Sequence, residues 1–377
     1  MTSNVLIIGG SGRIGRSVAN DLLRHTEVTM TLTGRRSKPA FELQSRQRYQ
    51  RLPLVDQAKV RDAIAQHDLV IHCAGPFRSR DFNILAQCIE QKKTYIDVAD
   101  SPDYVREALA FNTVAQAAGV TCIVSTGVFP GISNSMVRQG IEQLDQAHHV
   151  HLSYLVAGSG GAGITVMRTT FTELQTPFEA KVNGQTIMIK PYSEREILSF
   201  PEPYNKGAGL YWFNTVEAFT LIKSFPQLNS VITKFGSLPD AYNHLTGLMT
   251  FLPSSWLQQP TTIEFLSQVS YAMTQVTDRF SGTGIAMRLA IQGYHQDQAV
   301  TYLATATHPD TAEAAGYGTG SVAQLLLTGQ ITQPGVRPVE QVLPTTLFEK
   351  TLAERGLTIE RAIHPESLHP ESLHPDK

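Results

Sequence analysis

The chain begins with a continuous apolar run, Val5-Leu-Ile-Ile8, then a glycine-rich polar stretch, then apolar residues at Ile14, Val18, Leu22 and Leu23. A continuous run fits a strand buried on both faces, and the later spacing puts its apolar members on one side of a helix over 13–24. The same alternation repeats. Strands are expected at 28–33, 52–56, 68–74, 94–100 and 120–125, with helices at 57–66, 81–91 and 102–118. Strands and helices in strict succession, with no long structureless gap, imply right-handed crossovers and one parallel sheet. The expected fold class is α/β, a Rossmann-type doubly wound parallel sheet, joined to a second α+β domain.

The rhythm changes after a helix at 133–144, for which Ser133 or Asn134 is a plausible cap. Residues 149–157 alternate as a half-buried strand, 158–163 form a glycine-rich bend and 164–174 read as a helix. Residues 178–189 suggest a hairpin about Asn183-Gly184. Prolines crowd 191–260, read as short amphipathic helices such as 215–223 among loops. A helix at 261–278, two long antiparallel strands at 285–295 and 298–307, and helices at 311–328 and 347–356 follow. The expected division is a dinucleotide-binding domain over 1–132, a substrate and dimerisation domain over 133–330, a return segment packing on the nucleotide domain over 331–362, and a disordered tail over 363–377. The tail repeats His-Pro-Glu-Ser-Leu, and proline every five residues forbids a helix.

Composition narrows the partners. At 377 residues, 42% hydrophobic and 17% charged, the chain reads as a soluble two-domain protein, and its net charge of −2 offers no long-range attraction for nucleic acid or an anionic membrane. A small-molecule substrate is the expected partner, and a sheet in the second domain that pairs across a two-fold axis would give a homodimer. Cys73, Cys88 and Cys122 are odd in number and scattered, which argues against a disulfide framework and for the cytoplasm. No apolar run approaches the roughly 18 residues of a spanning helix, so no membrane is expected, and 244–257 reads as core or interface. Three tail histidines have no rigid frame, so no metal site is expected.

The chemistry concentrates at strand ends. Gly10, Gly12 and Gly15 form a G-x-G-x-x-G turn between strand and helix: Gly10 for the tight turn, Gly12 for close approach of a pyrophosphate, Gly15 for packing helix on strand, with Ser11, Arg13 and Ile14 in the same cradle. Some twenty residues on, where an NAD site carries a carboxylate for the ribose, stand Arg35 and Arg36, followed by Ser37 and Lys38. These suit a 2′-phosphate, so the expected cofactor is NADP (NADPH). Asp56, Ala74, Gly75, Pro76, Phe77, Gly127 and Pro130 lie at or just beyond the carboxyl ends of later strands, where a doubly wound sheet binds its ligand. Asp97 and Asp100, with Tyr95 on the same strand face as Asp97, are the candidates for proton transfer or for holding an amine. The alternatives are a helix cap for Asp100 and simple packing for Tyr95. His72 and Cys122 read as core residues. Arg168, Lys190, Lys206, Arg279 and Arg288 are available for a substrate carboxylate, Arg168 foremost. No Tyr-x-x-x-Lys pair occurs, which disfavours a short-chain dehydrogenase.

Five segments together resemble the saccharopine dehydrogenase-like family of oxidoreductases. They are Gly9-Gly-Ser-Gly-Arg-Ile-Gly15; Cys73-Ala-Gly-Pro-Phe77 with Ala86-Gln-Cys88; Tyr95-Ile-Asp97; Gly127-Val-Phe-Pro-Gly131; and 329–356 with its Pro334-Gly-Val, Pro338-Val-Glu340 and Leu352-Ala-Glu-Arg-Gly356. The resemblance implies a Rossmann-type domain with an inserted second domain, and NAD(P)-dependent hydride transfer, in characterised members at a carbon–nitrogen bond of an amino-acid or polyamine derivative. The competing expectation is a redox sensor that binds NADP(H) without turnover.

Overall fold

The computed structural model describes residues 3–158, 164–174, 176–205, 207–250 and 259–365. Its first sheet is built from β1 (Asn4–Ile8), β2 (Thr29–Gly34), β3 (Gln47–Arg51), β4 (Leu69–His72), β5 (Thr94–Asp97) and β6 (Thr121–Val124). All run parallel in the order β3-β2-β1-β4-β5-β6, and a late strand, Gly335–Pro338, adds beside β6. This is the doubly wound order whose direction reverses between β1 and β4, where the carboxyl ends open a ligand crevice. The crossovers are α1 (Arg13–His25), α2 (Gln57–Ala65), α3 (Asn83–Glu90), and the pair α4 (Pro102–Ala108) and α5 (Asn112–Ala118), broken by a tight turn at Leu109–Phe111. The third strand lies earlier than the expected 52–56. Residues 47–51 read Gln-Arg-Tyr-Gln-Arg and make an edge strand wet on both faces, which an apolar-run criterion passes over.

From α6 (Ile132–Ile141) the chain enters a second, mixed sheet. Its strands are β7 (Gln146–Ala157), then, after a separate hairpin of β8 (Phe178–Val182) and β9 (Gln185–Ile189), β10 (Glu196–Leu198), β11 (Ala208–Trp212), β12 (Ser230–Leu238), β13 (Gly284–His295) and β14 (Gln298–His308). The hairpin turns at Asn183-Gly184, both with positive φ. With the late strand Gly335–Pro338 as β15 and Glu360–Pro365 as β16, the order is β10-β11-β12-β7-β13-β14-β16. Between 191 and 260, β10, β11 and β12 replace part of the expected loops, and β12 lies parallel to β7 near the sheet centre. Residues 363–365 belong to β16, paired with Val300–Tyr302 of β14, rather than to a tail. The remainder of the tail, 366–377, lies outside the described residues, as do 159–163 of the glycine-rich bend and 251–258 of the apolar stretch.

The remaining helices are α7 (Ile164–Glu173), α8 (Glu217–Ser224), α9 (Ala241–Met249), α10 (Pro260–Ser281), α11 (Thr311–Leu327), α12 (Val339–Val342) and α13 (Thr345–Glu354). One hydrophobic core runs from Val5 and Ile7 of β1 through Met136 of α6 to Leu152, Leu289 and Ile291 of the second sheet. The two sheets are therefore fixed relative to one another by shared burial. Helix α11 closes on α1 almost backbone to backbone. A Cβ on Gly316 would stand 2.9 Å from the Ser17 carbonyl oxygen. No helix among the described residues is long and apolar enough to cross a membrane.

Candidate functional site

The glycine turn sits at the reversal point of the first sheet. Gly10 N–H donates to the Ile7 carbonyl at 3.0 Å and Gly12 N–H to the Gly9 carbonyl at 2.8 Å. The residue with positive φ, +79°, is Gly9 and not Gly10, to which the sequence reading gave the tight turn. Gly15 is needed for the reason expected: a Cβ there would overlap the Gly9 carbonyl oxygen. Gly12 caps α1 with no side-chain hydrogen bond, which leaves the first-turn N–H groups uncovered by a capping side chain, on the positive end of the helix dipole. A Cβ on Gly9 would stand 2.8 Å from the Ala74 amide nitrogen, so the loops after β1 and β4 meet. Arg13 contributes backbone here, while its guanidinium reaches Asp310 at 3.1 Å.

The basic turn is held beside this cradle. Ser11 N–H donates to the Thr33 carbonyl at 3.0 Å, and Ser11 Oγ occupies the space a Gly34 side chain would fill. Tyr49 OH donates to the Arg36 carbonyl at 2.9 Å and Arg51 Nε to the Arg35 carbonyl at 3.2 Å, while both arginine side chains stay exposed. Exposed guanidinium groups next to a glycine cradle fit a 2′-phosphate. Arg80, missed in the sequence, donates to the Ala74 carbonyl at 2.6 Å and the Gly75 carbonyl at 3.0 Å. Burial lowers its pKa, Asp81 opposes this, and the neighbouring Arg35 lowers it further. The Arg78-Ser-Arg80 doublet just after the proline turn is the signal that would have found it. Replacing Arg35 and Arg36 together by Ala should weaken NADPH binding roughly 10- to 100-fold, by loss of charge-assisted bonds, and leave NADH within about threefold. Titration of each cofactor by fluorescence checks this, and equal losses would remove the 2′-phosphate assignment.

Two cofactor candidates turn away from the crevice. Asp56 follows β3 in a turn and caps α2, accepting from Lys59 N–H at 3.2 Å and pairing with Lys59 Nζ at 2.7 Å. Phe77 buries its ring against His72 and Tyr104, with centroids at 4.9 and 5.1 Å, so only its backbone borders the crevice. His72 is a core histidine: burial, aided by Arg80, holds its pKa down to about 3.

The three acid–base candidates also part company. Tyr95 and Asp97 are fully buried, on the face that α3 to α5 cover. Asp97 accepts from Ser125 N–H at 2.8 Å, Ala99 N–H at 3.0 Å and Tyr95 OH at 2.9 Å, and burial pushes its pKa up to about 6 against these bonds. Its backbone carbonyl also accepts from Thr126 N–H and Oγ1. Asp97 thus ties the loop after β5 to the loop after β6. Asp100, three residues on, is half-buried and faces a cavity.

That cavity, about 400 Å³, runs from Ile14 of the cradle and Gly127 to Pro130 of the loop after β6 into the second domain. There Met167 and Phe171 of α7, Tyr192, Phe235 of β12 and Leu266 of α10 form its walls. The loop is fixed from behind. Asn134 Oδ1 accepts from Gly131 N–H at 3.0 Å, and Asn134 Nδ2 donates to Glu340 at 3.0 Å. Ser133 Oγ and Tyr154 OH both donate to Glu217, at 2.7 and 2.6 Å, and Tyr154 stacks on Phe129. Among the described lining residues Asp100 is the one charged side chain. Arg168, the foremost candidate for a substrate carboxylate, forms a bidentate pair with Glu264 at 2.7 Å, and neither Lys190 nor Arg288 lines the cavity. Lys206 and the side chain of Arg279 lie outside the described residues. No group of three or more His, Cys, Asp or Glu among the described residues is placed to hold a metal ion.

Residues 5–123 match the family model described as the saccharopine dehydrogenase NADP binding domain. The whole chain is similar in fold to apo saccharopine dehydrogenase (L-Glu forming) from Saccharomyces cerevisiae, with a TM-score of 0.70 at 13% identity over 96% of this chain and 100% of that one. It is also similar to the C. glutamicum DAP dehydrogenase in complex with DAP, with a TM-score of 0.51 at 15% identity over 94% and 99%. An engineered D-amino acid dehydrogenase bound to NADP+ gives 0.50 at 14% identity over 94% and 99%. At such identities these likenesses are ones of fold. Together with the uncovered helix terminus and the arginine turn, the match identifies residues 5–123 as a saccharopine dehydrogenase-type NADP binding domain, so the cofactor is NADP(H).

Proposed function

We propose that the protein is an NADP-dependent oxidoreductase that transfers a hydride at a carbon–nitrogen bond, with the reacting nitrogen held by Asp100. The observation that carries this is the pairing of one described carboxylate, at the end of β5, with an otherwise uncharged cavity that begins at the cofactor loops. A protonated imine is a cation only at its reacting group, and a carboxylate in an apolar surrounding favours that form.

NADPH, when bound, supplies the hydride that the substrate carbon accepts. The chain's residues do the rest. Gly127 to Pro130 and Ile14 confine the reacting end and exclude water from it. Asp100 keeps the nitrogen protonated, so that the π pair of the C=N bond settles on nitrogen as a lone pair when the carbon–hydrogen bond forms. Asp97 is a positioning residue, setting the loops on either side of Asp100 through Ala99 and Ser125.

The test is transfer of deuterium from NADPH labelled at C4 to a panel of cyclic imines and amine–aldehyde mixtures, read by mass spectrometry. An amine carrying one deuterium on the former imine carbon is the expected product. Asp100→Asn should lower kcat roughly 100-fold or more with NADPH affinity unchanged. Label passing only to C=C or C=O acceptors would exclude the carbon–nitrogen assignment, and tight NADPH binding without transfer to any acceptor would favour the sensor.

A further inference from the structure

The composition of the cavity says more than the reaction type. A substrate of amino-acid type brings at least one carboxylate into the site, and a buried carboxylate needs a cation or several donors. Among the described lining residues there is no lysine or arginine. Arg168, which starts from a suitable helix, is committed to Glu264 through both its Nε and Nη2. The walls are instead mostly valine, methionine, leucine and aromatic rings from both domains, and the serine, threonine and tyrosine hydroxyls among them, such as those of Thr170, Ser237 and Thr246, make up a small minority of the lining surface.

The apolar lining also reaches the surface. Leu245 of α9 and Val269 and Met273 of α10 line the cavity and yet are 42%, 41% and 40% exposed. Beyond them Leu248, Phe265 and Val276 stand more exposed still on the same two helices. Apolar side chains left in water around the mouth of an apolar cavity carry a continuing cost unless something apolar passes over them. The cavity's volume is that of a pocket for a drug-sized ligand.

We propose that the substrate is a long, apolar molecule, a hydrocarbon-bearing amine or imine with no carboxylate, that enters between α9 and α10 and presents its nitrogen to Asp100 at the cofactor end. This rests on the carbon–nitrogen reading for its headgroup, and on the cavity alone for its tail. Specificity then comes from chain length: each methylene buried adds roughly three- to fourfold to binding.

The experiment has a binding arm and a turnover arm. In the first, 2-methylpyrrolidine, 2-hexylpyrrolidine and 2-dodecylpyrrolidine are titrated calorimetrically into the full-length protein with NADP+ present, alongside saccharopine. Affinity should rise more than about a hundredfold from methyl to dodecyl, with saccharopine giving no measurable heat. Leu245→Arg and Met273→Arg, at positions exposed enough to accept a charge, should each weaken the dodecyl compound tenfold or more. Their NADP+ affinity should match the unsubstituted protein and so report folding. In the second arm the corresponding 2-alkyl-1-pyrrolines are offered with NADPH. Chain-length-dependent binding without reduction would retain the apolar substrate class and overturn the carbon–nitrogen chemistry. Reduction of pyrrolines with no dependence on chain length, or tighter binding of saccharopine than of the dodecyl compound, would overturn the substrate class and leave the chemistry standing. Flat binding across the series that neither arginine variant alters would likewise overturn it.

Discussion

Replacing Asp21 by Ala should lower the unfolding free energy by about 3–5 kcal/mol, the usual loss when one partner is removed from a buried ion pair. Asp21 lies on the inner side of α1 and receives Arg355 in a fork, Nε to Oδ1 at 2.8 Å and Nη2 to Oδ2 at 2.7 Å. Their side chains are 1% and 0% exposed. The guanidinium also donates to the Thr351 carbonyl at 3.0 Å, a neutral acceptor, so without Asp21 it is left charged in the core. The pair closes the chain on itself: Arg355 ends α13, and the bond fixes this last helix against α1, beside Gly320, whose missing side chain makes room for the carboxylate. The double replacement Asp21→Leu with Arg355→Met should recover most of the loss, because removing both charges removes the unpaired one as well. Urea unfolding followed by circular dichroism measures both. A loss below about 1 kcal/mol in the single variant would mean that water reaches Arg355 and that the pair does not hold the C-terminal helix.

The elements that sequence patterning located are those whose burial is written in consecutive residues. β1 and β4 are continuous apolar runs, and the glycine turn between β1 and α1 is local, so the glycine cradle and the arginine turn beside it were legible. The misses have equally local causes. β3 is polar on both faces because it is an edge. β12 is central, yet carries Lys234 in its middle; the lysine is buried only because Glu196 at 3.2 Å and the Glu194 carbonyl at 2.9 Å satisfy it, and Trp212 lies beneath. A charge in mid-strand masks the strand, and its partners are 38 and 40 residues away in the chain. Strand alternation placed Tyr95 and Asp97 together correctly, but which face of a parallel sheet its helices seal is decided by packing, and the sealed face is theirs. The cavity was not legible at all. Its walls are mostly ordinary apolar residues on separate elements, which read as core until the two domains are set against each other.

Glu340→Gln should change in stability relative to the unsubstituted protein by about 3 kcal/mol between pH 5 and pH 8, with the variant gaining as pH rises. Glu340 is buried behind the cofactor loop, where it accepts from Asn134 and from Ser224 at 2.9 Å. Burial pushes its pKa up to about 7, nearby hydroxyls pull it down, and Glu217 pushes it up further. A carboxyl whose folded pKa lies above its ordinary 4.5 binds its proton more tightly when folded. The stability it contributes is complete below about pH 4.5 and is lost as pH rises through 7, where the folded protein must ionise it. Asp97, pushed up to about 6, acts in the same direction at a lower pH. His72 and His151, held down to about 3 and about 4 chiefly by burial, act in the opposite direction: each stabilises above its unfolded pKa of 6.5 and loses that as pH falls. The two sets oppose one another between pH 4 and 6.5, so the unsubstituted protein's own profile conceals both. The difference between Glu340→Gln and the unsubstituted protein cancels the histidines and Asp97 and isolates one carboxyl. Urea midpoints at pH 5, 6, 7 and 8 supply it, and a difference that does not move across that range would show that Glu340 is already ionised in the folded state. Because Asn134 joins Glu340 to the Gly131 amide, the same ionisation acts directly behind the loop from Gly127 to Pro130 that lines the cavity.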